Sequence, residues 1–162
     1  MPVTSIEKDT EALTLTVKAE FDAPAERVWQ IWADPRQLER WWGPPMYPAT
    51  VVDHELRPGG VVTYFMTSPE GERHHGWWRI DAVDEPRRLE IVDGFGVSPE
   101  EAATGLPQSS MVVTLAERAG GGTAMTIEST FPSAEAMQTV IEMGLEEGLK
   151  AAMGQIDAIL AD

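Results

Sequence analysis

Residues 24–45 read PAERVWQIWADPRQLERWWGPP and hold Trp29, Trp32, Trp41 and Trp42, four of the six tryptophans in the chain. Pro24 suits the first position of a helix, where its missing N–H would have no partner. Glu26 adds negative charge to the positive first turn. Asp34-Pro35 restarts the chain, with Asp34 as cap and Pro35 opening a second helix. Gly43-Pro44-Pro45 stops that helix. The spacing predicts two short amphipathic helices whose aromatic faces must pack on something large. Only one of the adjacent Trp41 and Trp42 can face the core fully. The expectation puts Trp42 in the core and Trp41 at a pocket mouth.

The remaining sequence supplies that larger surface. Residues 13–21 (LTLTVKAEF) alternate apolar and polar side chains and read as a strand. Six more runs read the same way: 49–56, 60–67, 74–83, 88–95, 110–116 and 123–131. Pro58-Gly59-Gly60, Pro69-Glu70-Gly71, Asp84-Glu85-Pro86 and Gly120-Gly121-Gly122 punctuate them, which predicts an antiparallel meander. Residues 1–12 read as an N-terminal arm. The stretch 94–109 is too long for a hairpin and reads as a mobile flap gating a pocket.

Residues 133–161 read as one long helix. Ser133 caps it, and Met137, Ile141, Leu145, Leu149, Met153 and Ile156 recur at helical spacing. Gly144, Gly148 and Gly154 interrupt it, each at a cost of roughly 1 kcal/mol against alanine. The expectation puts Gly144 over a cavity and Gly148 in close packing. A sheet cannot bury its apolar face alone. The reading is therefore one α+β domain over 1–162. A curved antiparallel sheet of about seven strands wraps the long C-terminal helix, with two short helices after the first strand.

The chain has 162 residues, 43% of them hydrophobic, enough for one sizeable core. Its formal net charge of −15 argues against nucleic acid and anionic membrane surfaces. It has no cysteine, so disulfides, thiol nucleophiles and thiolate metal sites are excluded. No apolar run is long enough to insert in a membrane, and the first residues carry no signal-like apolar region. The chain reads as cytoplasmic.

Strand alternation assigns faces. Tyr64 and Met66 share the inner side of one strand with Val62. Trp78 shares the next with Ile80 and, by parity, His74. His54 falls with Val52 and Leu56. Asp93 falls with Leu89, Ile91 and Phe95. Met111, Val113 and Leu115 face inward on one of the last strands, and Met125, Ile127 and Ser129 on the other. Met137, Ile141, Gly144 and Leu145 answer them from the helix. With Trp41 at the mouth, these residues predict a mostly apolar ligand pocket with a few polar groups. Methionine suits a pocket that accepts varied shapes. His74 and the adjacent His75 point to opposite faces, and no nucleophile elbow or phosphate loop is present. No metal or cofactor is called for.

Together with this order, several motifs resemble the START-like superfamily of helix-grip (SRPBCC) proteins. They are F-x-A-P-x-E-x-V-W from Phe21 to Trp29, D-P-x-x-L-x-x-W-W-G-P from Asp34 to Pro44, and L-R-P-G-G from Leu56 to Gly60. G-W-W-R-I from Gly76, P-x-R-L from Pro86 and E-M-G-L-E-E-G-L from Glu142 complete the set. Within the superfamily the chain is similar to the bacterial branch named after the activator of heat shock protein 90 ATPase. The resemblance implies a helix-grip fold that hosts carriers, cyclases and stress-related proteins.

Three functions follow. The leading one is a binding protein for a small apolar or amphipathic ligand. The second is a cyclase- or hydrolase-type enzyme with His54 and Asp93 as acid–base or orienting groups. The third, implied by the resemblance, is a chaperone-interacting module. A homodimer contact is offered by strand 13–21 at a sheet edge or by an exposed Trp77.

Overall fold

The computed structural model describes residues 3–102 and 105–162. Two helices form where the tryptophans predict them: α1 (Ala25–Ala33) and α2 (Pro35–Trp41). Asp34 caps α2 by accepting from the Arg36 N–H, and Pro35 opens it. The side-chain amide of Gln37 and that N–H together hold the Asp34 carboxyl below its ordinary range. Pro24 sits one place earlier than expected, at the N-cap of α1 rather than inside it.

Among the described residues eight strands form, not seven. They are β1 (Val3–Asp9), β2 (Thr14–Phe21), β3 (Ala49–His54), β4 (Val61–Thr67), β5 (Arg73–Asp84), β6 (Arg88–Phe95), β7 (Ser109–Glu117) and β8 (Thr123–Thr130). The sheet runs β1-β2-β8-β7-β6-β5-β4-β3, and every pair is antiparallel. The extra strand is the expected N-terminal arm. Only Val3 and Ile6 are apolar in VTSIEKD, so alternation gives little signal there. A turn makes the hairpin instead. The Asp9 carboxylate accepts from the Glu11 and Ala12 N–H groups, and Leu13 takes φ 60°. β2 is therefore an interior strand, and the predicted dimer edge does not exist.

The C-terminal helix runs in three segments: α3 (Ala134–Glu142), α4 (Leu145–Met153) and α5 (Ile156–Leu160). Ser133 caps α3 through the Ala136 N–H. Gly144 makes the first break at φ 90°, a left-handed conformation that glycine adopts without steric cost. This α+β arrangement, an open antiparallel sheet against a C-terminal helix, is the helix-grip architecture expected.

The core lies between sheet and helices. Trp29, Trp32, Leu38 and Trp41 of α1 and α2 pack there with Val62, Trp78, Ile80, Ile91 and Ile156. The indoles meet edge to face: Trp32–Trp41 at 4.9 Å and Trp42–Trp78 at 4.9 Å between centroids. Trp77 is buried, not exposed, although it belongs to neither core cluster. Its indole N–H donates to the Phe95 carbonyl at 3.0 Å. A Cβ on Gly94 would collide with the Trp77 ring, so glycine is what lets the ring settle on β6. Trp77 is thus no dimer contact.

One face assignment fails in an instructive way. Val52 is 62% exposed, while Ala49 and Val51 are buried. A bulge between Val51 and Asp53 resets the alternation, so His54 still reaches the inner side. The expected flap, 94–109, includes residues 103 and 104, which lie outside the described residues. At its start, Gly96 bridges Ala102 and the Ser98 hydroxyl accepts from the Glu101 N–H.

Candidate functional site

The inner faces of β4, β6, β7 and β8 and the underside of α3 and α4 line a partly open hollow of about 270 Å³. Tyr64, Met66, Asp93, Phe95, Met111 and Ser129 form the sheet wall. Val140, Gly144, Gly148 and Ala152 run along the helical wall at every fourth position, with Leu145 and Leu149 beside them. Trp42 and Pro44 close one end, and Met143, 55% exposed, lies at the rim. The hollow persists because the helix side is trimmed. Apart from the adjoining chain itself, no heavy atom lies within 4 Å of where a Cβ on Gly144 or Gly148 would sit. For Gly148 this corrects the expectation of close packing: it, too, faces open space.

Asp93 is placed by strand register. It lies between Trp78 on β5 and Ser109 on β7, and Ser109 also borders the hollow. Among the described residues no hydrogen bond or cation reaches the Asp93 carboxyl. Burial alone lifts it from 3.8 to about 7, because an apolar surround disfavours the charged form. What surface the side chain keeps opens into the hollow.

Tyr64 is the second titrating group on the wall. Burial, and then the charge of Asp93, push its hydroxyl far above the usual phenol range. Its ring crosses β5 at Gly76, where an added Cβ would lie 2.5 Å from the hydroxyl oxygen. The indole N–H groups of Trp42 and Trp78 approach this hydroxyl without reaching hydrogen-bond geometry, and both remain buried and unpaired. Buried polar groups are normally satisfied. Here a carboxyl and two N–H groups are left without partners around one apolar space.

Of the residues expected to line a pocket, Tyr64, Met66, Asp93, Phe95, Met111, Ile127, Ser129, Gly144 and Leu145 come together around the hollow. The others do not. Trp41 is fully buried and donates its indole N–H to the Ile31 carbonyl at 2.9 Å. It is Trp42, 9% exposed, that borders the hollow, so the two faces were inverted. Trp42 continues the helical backbone of α2 as its C-cap, so the two indoles leave the helix on different faces. Trp78 stands behind Trp42 and Tyr64, within the core. Met125 lies deeper, between Ala19 and Leu115. Met137 and Ile141 pack on Leu15 and Phe131 in a second cluster.

The histidines do not join the site either. His54 approaches the Trp32 carbonyl through Nε2 at 2.9 Å and does not border the hollow. The proposed His54–Asp93 pair therefore shares no enclosed space. His74, the second residue of β5, is exposed and stands edge-on to Tyr47 at 6.1 Å. Sequence reasoning missed Trp42, Ser109, Val140, Met143, Gly148, Leu149 and Ala152. The four-residue spacing of Val140, Gly144, Gly148 and Ala152 was the available signal, a small-residue stripe on one helical face.

Among the described residues no cluster of three or more His, Asp or Glu side chains could hold a metal ion. Among the described residues no helix is long and apolar enough to cross a membrane.

The family described as Activator of Hsp90 ATPase homolog 1-like protein matches residues 22–161. The chain belongs to this family. Solved structures agree with that placement within the START-like superfamily. Protein Ms6760 of Mycobacterium smegmatis is 55% identical, with a TM-score of 0.90 over 98% of this chain and 97% of that one. A protein from Arthrobacter aurescens is 49% identical, with a TM-score of 0.91 over 98% and 92%. One from Staphylococcus epidermidis is 28% identical, with a TM-score of 0.82 over 98% and 94%. No curated protein matches. The activator-like family has a ligand-binding fold, and the match spans both walls of the hollow.

Proposed function

We propose that this activator-like protein binds a small, mostly apolar or amphipathic molecule in the hollow between sheet and C-terminal helix. The observation that carries the reading is the helical wall. Gly148, half-buried, keeps a side chain out of a space that the rest of the wall lines with apolar groups, and Gly144 borders the same space at its exposed side. A chain selected only for stability would fill it, since packed interiors leave few voids larger than a water molecule. Met66, Met111 and Met143 give the walls adaptable surface.

Trp42 borders the hollow and reports occupancy. Titration with a neutral apolar fluorophore such as N-phenyl-naphthylamine should quench tryptophan emission and saturate. Gly148→Leu, which projects a side chain into the space, should abolish that response while the protein stays folded. Saturable quenching that survives Gly148→Leu unchanged, or no quenching in the wild type, would overturn the proposal.

A further inference from the structure

Asp93 is a poor wall for a purely apolar guest. Its carboxyl carries two acceptor oxygens and meets no donor among the described residues. A half-buried carboxylate without a partner still carries a desolvation cost, and natural sites compensate it with a cation or with hydrogen bonds. Nothing in this wall supplies the cation. Among the described residues, Asp93 and Tyr64 are the only titratable ones bordering the hollow, and neither becomes positive. The hydroxyls of Ser109 and Ser129 are neutral.

The surroundings of Asp93 have a matching character. Trp42, Tyr64 and Phe95 border the same space. Aromatic faces attract cations through their negative quadrupole, most strongly where water is excluded. The net charge of −15 adds a long-range field of the same sign. Carboxylate, aromatic walls and field all favour positive charge, and the remaining wall favours hydrocarbon.

Resting on the ligand-binding reading above, we infer that the hollow selects a small apolar molecule bearing one protonated amine, seated against Asp93 among Trp42, Tyr64 and Phe95. The ammonium satisfies the carboxyl and meets the aromatic faces, while the apolar body lies along Gly144 and Gly148. The acid–base balance sets a pH window. Asp93 is neutral below about 7 and charged above it. An alkyl amine, like the lysine ammonium, stays protonated to about pH 10. Affinity for the amine therefore rises as pH climbs through 7, whereas affinity for a neutral guest does not.

Four probes of similar shape separate the possibilities: phenethylamine, propylbenzene, phenethyl alcohol and hydrocinnamate. Binding is read by tryptophan fluorescence and checked by calorimetry. At about pH 8 phenethylamine should bind about tenfold or more tighter than propylbenzene, the scale of one charge-assisted hydrogen bond. The preference should shrink at about pH 5.5, where Asp93 is protonated, and the amine and hydrocarbon should bind equally in Asp93→Asn. Equal binding of amine and hydrocarbon, or tightest binding of the alcohol or the carboxylate, overturns the amine inference and leaves the ligand-binding reading standing. Failure of all four probes and of the neutral fluorophore overturns both. The wild-type pH series decides the matter even if Asp93→Asn does not fold.

Discussion

Asp93→Asn should stabilise the ligand-free protein at neutral and alkaline pH and leave it unchanged in acid. Folding moves the carboxyl from 3.8 to about 7, so the folded state holds its proton more tightly than the unfolded chain. Between those values the folded state binds more protons, and stability falls as pH rises. The contribution is fully present below about pH 4 and is lost as pH passes about 7. Each factor of ten in proton affinity is worth about 1.4 kcal/mol, so three factors set a ceiling of about 4 kcal/mol. Water entering the hollow lowers this, and about 2–3 kcal/mol is the expected gain from the neutral, nearly isosteric amide. With a urea m-value of about 2 kcal/mol/M, the midpoint at about pH 8 should rise by about 1–1.5 M. At about pH 4 wild type and variant should superimpose. A variant less stable than wild type at about pH 8 would show that Asp93 has a structural partner and would remove the premise of an unsatisfied site.

Trp41→Ala should cost about 3–5 kcal/mol in chemical denaturation, because it empties a fully buried site and strands the Ile31 carbonyl, while Trp42→Ala should cost less and enlarge the hollow. Gly148→Leu should keep stability within about 1 kcal/mol of wild type, since added helix propensity offsets ordering of the side chain. Gly144→Leu should lose about 1–2 kcal/mol because φ is 90° there, and paired thermal melts distinguish the two. Gly94→Ala should destabilise by about 1–3 kcal/mol through its collision with the Trp77 ring, read as a lowered urea midpoint with altered tryptophan emission. His54→Gln should leave fluorophore affinity at the wild-type level, because His54 does not border the hollow. A tenfold loss of affinity in the titration would return it to the site.

Much of this protein was legible in one dimension because local rules act over a few residues. Asp34-Pro35 caps and opens α2 whatever the rest of the chain does. Alternation put Tyr64, Asp93, Phe95 and Met111 on the inner side, since a strand has only two faces and one of them is apolar. The same rule has no power where its signal is thin. β1 carries two apolar residues and owes its place to the Asp9 turn and to a free edge on β2. At β3 a single inserted residue flipped Val52 outward, and nothing in the string VVDH announces a bulge.

The site depended on more than faces. Trp41 and Trp42 are adjacent and chemically alike, so their order could not separate the buried indole from the one at the hollow. The packing of α2 against its neighbours decided it. His54 and Asp93 shared a parity but not a place, because a face extends over eight strands and the hollow occupies only part of it. Gly148 needed the height of α4 above the sheet before its missing side chain could be read as open space. Sequence by itself determined which residues turn inward, because that depends on backbone periodicity. Tertiary structure alone determined which of them meet, because distance across a curved sheet is set by how every strand and helix packs at once.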